Sequence, residues 1–187
     1  YIHGKEVSIK NPRQAINNGI AFLTEDRKGQ GLVLAQTIRT NLILANMKRF
    51  CNGPFLNEKK IVESGQEHIK SLRIKPPSID EIVGQLSGGN QQKVVIAKWV
   101  YKQPKILILD EPTRGVDIGA KKEIYNIINQ LAAQGVAIIL VSSELPEVLG
   151  MSDRIMVVCE GRVTGIVNAA EADQAKIMTL ATGGNIA

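Results

Sequence analysis

The stretch that most constrains the fold is Ile106-Leu107-Ile108-Leu109, which runs unbroken into Asp110-Glu111-Pro112. An apolar run this short, closed by two carboxylates and a proline, reads as a strand from Ile106 to Asp110 buried on both faces. Such a strand needs covering helices, and helical patterns lie on either side of it. Ala120 to Ala133 carries Ile124, Ile127, Ile128 and Leu131 as one stripe at helical spacing, and Gly135 ends it. Val136 to Val141 is a second run of the fully buried kind, closing in Ser142-Ser143-Glu144. Ile155 to Cys159 is a third, which Gly161 turns back into Val163 to Val167. Glu171 to Leu180 reads as a terminal helix. Strands alternating with helices predict an α/β fold with a largely parallel sheet.

The first hundred residues are less regular. Residues 1–10 alternate around Gly4-Lys5, as in a short hairpin of edge strands. Asn11-Pro12 opens a short helix that Gly19 can stop. Ile20 to Thr24 reads as a buried strand, and Glu25 to Gly31 as a charged loop punctuated by glycine. From Thr37 to Lys75 the pattern is helical. Asn41, Leu42, Leu44 and Ala45 begin one segment, and Ile61, Ile69 and Leu72 belong to a second. Gly53-Pro54 and Pro76-Pro77 mark the flanking loops. Residues 32–100 form a helical insertion by this reading, and no internal repeat stands out.

Composition narrows the class. The chain has 187 residues, 44% hydrophobic and 22% charged, as in one ordinary globular domain rather than a disordered segment. Aromatics are only 4%, so the core must be aliphatic. The net charge of +5 is spread along helices without a run of five like charges, which argues for solvated faces and against nucleic-acid binding. Cys51 and Cys159 have no metal-ligand spacing, and Cys159 sits in an apolar run as a core thiol. His3 and His68 match no motif and read as surface residues. No apolar run is long enough for a transmembrane helix, and the start is not a signal peptide. The chain opens without methionine and in mid-pattern, which points to a fragment.

Leu86-Ser87-Gly88-Gly89-Asn90-Gln91-Gln92-Lys93 precedes the carboxylate strand. Glycines let backbone N–H groups approach an anion, and a helix starting there adds its positive dipole end. Ser87 can cap that helix or donate to a phosphate; a plain N-cap after a loop is the bland alternative. Followed by Asp110-Glu111, the stretch resembles the signature motif of ATP-binding-cassette (ABC) ATPases, with the carboxylates in the Walker B place. Pro112 to Asp117 resembles the D-loop of that family, which faces a partner domain. The form LSGGNQQK is similar to that of the sugar importers for ribose, xylose and galactose, in which one chain carries two cassettes. Glu144 to Val148 and Ser152-Asp153-Arg154 extend the likeness.

The resemblance implies a P-loop NTPase-like cassette, with residues 1–187 as a partial nucleotide-binding domain and 32–100 as its helical subdomain. It implies ATP and Mg²⁺ in the intact dimer. Asp110 would help hold the metal, and Glu111 would polarise the attacking water. Ser87, Gly88, Gly89 and Asn90 would meet the γ-phosphate of ATP held by another cassette, with Asp117 as the matching D-loop residue. Expected partners are an N-terminal cassette of the same chain or a second ATPase subunit, and a transmembrane permease. That places the protein in the cytoplasm, on the inner face of the cell membrane.

Three departures qualify the picture. Glu25 stands where the family's Q-loop has Gln, and Ser143 stands where many members carry a His that orients the γ-phosphate and water. A serine supplies no imidazole. No Gly-x-x-x-x-Gly-Lys-Ser/Thr occurs in the chain, so the main phosphate grip is missing. The leading reading is a C-terminal cassette fragment of a bacterial carbohydrate importer. It is an ATPase component, inactive by itself, and prone to self-association or domain swapping where a strand is missing. A nucleic-acid- or translation-associated ABC ATPase and a non-catalytic regulatory cassette remain as alternatives.

Overall fold

Parallel pairing between β1 (Ile20–Leu23) and β4 (Ile106–Asp110) sets the frame of the molecule. The computed structural model describes residues 1–2 and 4–184. Ile20 lies opposite Ile106 and Leu23 opposite Leu109, so Ala21, Leu23, Leu107 and Leu109 share one sheet face. All four are essentially sealed from solvent. The helix α4 (Gly88–Val100) packs against β1 and against α5 (Ile118–Ala133). Its Val94, Val95, Ile96 and Ala97 are buried, as is the predicted α5 stripe of Ile124, Ile127, Ile128 and Leu131. β5 (Ala137–Val141) completes the sheet in the order β1-β4-β5 and carries the chain from one compact unit, Tyr1–Ile139, into a second, Leu140–Ala187.

The strands are less buried than their apolar runs predict. Phe22 in β1 is 46% exposed and Ile139 in β5 is 51% exposed. A continuous apolar run shows that a strand tolerates cover on both faces, but cover itself comes from elements remote in sequence. Here β4 alternates between sealed Leu107 and Leu109 and the half-buried Ile106 and Ile108.

The early chain follows its caps. Asn11 closes α1 (Pro12–Asn17) by accepting from the Gln14 N–H, and Gly19 then takes φ +80°. The predicted edge hairpin over residues 1–10 reduces to a single bridge between Ile2 and Lys5; His3 lies outside the described residues. The expected loop at Glu25–Gly31 contains a π-helical turn, Arg27–Gly31, whose start is fixed by Asp26 accepting from the Gly29 N–H at 2.9 Å.

The helical subdomain has three helices and one small hairpin. α2 (Ile38–Ile43) runs into a 3₁₀ turn over Leu44–Phe50. Gly53-Pro54, read from sequence as a plain loop, turns a two-residue hairpin of β2 (Cys51–Asn52) and β3 (Phe55–Leu56). α3 (Glu58–Ser71) follows, capped by Asn57. Ile43, Phe50, Ile61 and Tyr101 form a small core there. His68 is half-buried rather than a surface residue, its ring 4.8 Å from that of Tyr101.

In the second unit, α6 (Leu145–Met151) precedes an antiparallel hairpin of β6 (Arg154–Cys159) and β7 (Arg162–Asn168). Glu160 and Gly161 make the turn, both at positive φ. α7 (Gln174–Ala181) starts three residues later than the sequence suggests, where Asp173 caps it, and packs Ile177 and Leu180 on Ile155, Val157 and Val167. Met156 and Val158 face outward, so this strand too is covered on one face only. Cys51 and Cys159 are free thiols, both half-buried, so Cys159 is not sealed in a core. Among the described residues no helix is long and apolar enough to cross a membrane.

Asn41 anchors the entry to the helical subdomain. Fully buried on α2, its Oδ1 accepts from the Val33 N–H at 2.8 Å, and its Nδ2 donates to the carbonyls of Val33 and Thr37 at 3.1 and 3.0 Å. The Val33 N–H thus has this side chain as its acceptor, while the Val33 carbonyl also accepts from the Gln36 N–H at 3.0 Å. Asn41→Ala is expected to cost about 1–3 kcal/mol, since it leaves the part-buried Val33 N–H without its acceptor. Urea unfolding of the two proteins checks this, and coincident midpoints would contradict it.

Candidate functional site

Ser87 begins the site because it ends the loop before α4. Its backbone is extended, and its Oγ accepts from the Asn90 N–H at 3.4 Å and from Asn90 Nδ2 at 2.9 Å. A hydroxyl has two acceptor sites and one donor. Both acceptor sites are engaged by Asn90, and the O–H remains to donate outward. Capping and anion binding, alternatives in the sequence, are therefore compatible at this residue. Asn90 also accepts from the Lys75 N–H at 2.9 Å, tying the start of α4 to the loop after α3.

Gly88 and Gly89 are the first two helical residues, so their N–H groups have no intrahelical acceptor. Packing demands glycine at position 89 and crowds any side chain at position 88. A Cβ at Gly88 would lie 2.9 Å from Arg27 Nη2 and 3.2 Å from the Gly115 carbonyl oxygen. A Cβ at Gly89 would collide with the Ala120 Cβ on α5. The helix start is pressed between the 112–117 turn and α5, with two N–H donors, one hydroxyl and the dipole of a 13-residue helix in one place.

That helix is held from its buried side by two lysines. Lys93, 3% exposed, pairs with Glu123 of α5 at 2.5 Å and donates to the Arg73 carbonyl at 2.9 Å. The hydrogen bond from Lys93 holds the Glu123 carboxyl below its ordinary range, helped by the charges of Lys93, Lys75 and Arg73 and opposed by partial burial. Lys98 donates to the Gly31 carbonyl at 2.5 Å, and burial pulls its ammonium below the usual lysine range.

Asp110 is the last residue of β4, and Glu111 follows it at the carboxyl edge of the sheet. Glu111 has φ +46°, a left-handed conformation that costs a non-glycine residue about 1–3 kcal/mol. The strain turns the chain sharply into Pro112, and the Arg114 N–H closes the turn on the Glu111 carbonyl at 3.1 Å. Gly115 reverses it at φ +65°. Asp117, assigned from sequence to a partner-facing loop, caps α5 by accepting from the Ala120 N–H at 2.9 Å. Among the described residues no group of three His, Cys, Asp or Glu could hold a metal by itself.

Glu25 follows β1 and pairs with the Arg114 guanidinium across to the 112–117 turn. Ser143 lies in the second unit, just after β5, in a turn where the Ser142 Oγ accepts from the Glu144 N–H at 3.0 Å. In the first unit, then, the structure brings together Glu25, Ser87, Gly88, Gly89 and the turn from Glu111 to Asp117. Arg27 joins them unforeseen. It donates through Nη1 to the Arg114 carbonyl at 2.7 Å and through Nη2 to the Gly115 carbonyl at 3.3 Å. Within Glu25-Asp26-Arg27-Lys28 no spacing distinguishes it from its charged neighbours.

Comparison with known proteins fits this arrangement. The ABC transporter family model matches residues 1–114. The chain is 56% identical to the ribose import ATP-binding protein RbsA of Bacillus subtilis over 98% of its length, covering 37% of that protein. It is 55% identical to the xylose import ATP-binding protein XylG of Moorella thermoacetica, again over 98% of the chain and 36% of the relative. It thus spans little more than a third of the length of the curated relatives it matches. A nucleotide-free ATP-binding cassette from an ABC transporter superposes with a TM-score of 0.76 at 23% identity, covering 90% of this chain and 68% of that one, which shows the fold. The chain belongs to the ABC transporter ATP-binding family.

Proposed function

We propose that the chain is the C-terminal cassette portion of the ATP-hydrolysing subunit of a bacterial carbohydrate importer. The observation that carries this reading is the likeness of nearly the whole chain to ribose and xylose import ATP-binding proteins. The partners are another cassette, in the same polypeptide or a second subunit, and a membrane-embedded permease. The location that follows is the cytoplasmic face of the membrane.

Ser87, Gly88 and Gly89 act in trans on ATP held by the partner cassette. Their two N–H groups, the Ser87 hydroxyl and the helix dipole stabilise charge on the phosphoryl group as it transfers. Asn90 holds the Ser87 side chain in its capping position and so sets the hydroxyl's direction. Asp110 is the carboxylate that would help hold Mg²⁺, whose remaining oxygen ligands would come from phosphate and water. Asp110 would hold the ion, which when bound offsets the phosphate charge. Glu111 orients the attacking water in the local site. Glu25 offers no amide where the family has Gln, and Ser143 offers no imidazole where many members carry His, which supports a subordinate catalytic role for the local site. Asp117 fixes the end of the turn that faces the partner.

The exposed apolar residues support self-association of the 187-residue chain when it is isolated. Phe22 and Ile139 lie half open on the sheet, and Met156, Val158, Val163 and Ile166 are each more than half exposed on the hairpin of the second unit. Surfaces of this kind on strands favour pairing with another copy.

Three outcomes test the reading. Gly88→Val in the intact importer is expected to abolish ATP-driven sugar uptake, because the new side chain enters space occupied by Arg27 and Gly115; normal uptake would overturn the in-trans assignment. The isolated chain is expected to show no ATP turnover above background after removal of contaminating ATPases, since it contains no phosphate loop; steady turnover that co-purifies with it would refute this. Sedimentation of the isolated chain is expected to show concentration-dependent dimers or larger species, and a strictly monomeric, cooperatively unfolding protein would count against self-association.

A further inference from the structure

We infer that Arg27 is a positioning residue for the in-trans site: it fixes the distance between the 112–117 turn and the start of α4. The inference rests on the proposed function, in which Gly88 and Gly89 meet a nucleotide held elsewhere. It concerns a residue that neither the family motifs nor the sequence pattern single out.

The geometry is that of a clamp with one fixed jaw. The π-helical turn 27–31 is set on α4 at its far end, where Lys98 donates to the Gly31 carbonyl at 2.5 Å and a Cβ at Gly31 would lie 3.3 Å from the Val95 side chain. At its near end, Asp26 caps the turn and aims Arg27 across to the loop after β4. The planar guanidinium then grips two successive carbonyls, Arg114 and Gly115, at 2.7 and 3.3 Å. A fork of fixed geometry is suited to holding two acceptors at once, which a lysine cannot do.

The same guanidinium forms the floor beneath Gly88. Its Nη2 and the Gly115 oxygen are the atoms nearest to where a Gly88 Cβ would be. The Arg27 Nε is buried with no hydrogen-bond partner, so the side chain adopts a pose that serves the two carbonyls rather than its own full satisfaction. Glu25, two residues earlier, pairs with the Arg114 side chain and adds a second tie between the same two loops. That pair is exposed on both sides, and exposed pairs contribute little. The spacing therefore depends on Arg27. Displacing reacting groups by about 1 Å can cost a catalytic site on the order of 100-fold.

The test uses the full-length protein assembled with its permease in proteoliposomes, comparing Arg27→Gln and Arg27→Lys with the unsubstituted protein and with Gly88→Val. Arg27→Gln is expected to lower kcat for ATP about 10- to 100-fold while KM stays within about threefold. Arg27→Lys is expected to restore part of the rate, because it returns one charged donor but reaches one carbonyl. Thermal midpoints are measured alongside. If the glutamine variant fails to assemble, the lysine variant carries the test through the same split between kcat and KM. The inference is overturned if Gly88→Val abolishes turnover while both Arg27 variants keep normal kcat. It is overturned equally if the rate falls only in proportion to lost folded protein, or if KM rises with kcat unchanged. Normal turnover in Gly88→Val would instead overturn the functional reading, and this inference with it.

Discussion

The close approach of the α4 N-terminus to the 112–117 turn is the constraint on which the rest depends. Gly88 and Gly89 permit it, because a Cβ at either would strike Arg27 and Gly115 or the Ala120 methyl. Several elements of the first unit hold that contact. β1 and β4 pair in parallel and deliver their following loops to one edge. Asp117 starts α5 where Ala120 meets Gly89. Lys93 and Glu123 lock α4 to α5 further along, and Lys98 holds the loop after β1 against α4. The glycines thus have two independent reasons to be glycine, one of packing and one of anion access.

The site has an outward face and a local pair of carboxylates. Outward, it presents N–H donors, a hydroxyl and a helix dipole aligned on one spot. Locally, Asp110 ends β4 and Glu111 follows it at the carboxyl edge of the sheet. Glu111 sits in a strained left-handed backbone conformation.

Much of this was legible in the sequence. The apolar run closing in Asp110-Glu111 marked β4, the stripe from Ile124 to Leu131 marked α5, and Asn11-Pro12 marked α1, each because one local rule sufficed. The signature stretch gave both the cap and the glycines. What stayed hidden depends on partners distant in sequence. Phe22 and Ile139 look buried from their neighbours, yet their exposure depends on which other elements cover them. The hairpin of β2 and β3 has two residues per strand, too few to alternate. Arg27 is one charge among four in its loop until the fold sets it against carbonyls 87 and 88 residues away in sequence.

The most direct test of the account is a structure of the full-length protein, assembled with its permease and trapped with a non-hydrolysable ATP analogue. The account predicts Ser87 Oγ and the N–H groups of Gly88 and Gly89 within hydrogen-bond distance of a γ-phosphate whose other oxygens are gripped by a different cassette. A closed, nucleotide-loaded assembly in which these three residues face solvent, or face a nucleotide held only by their own cassette, would contradict it.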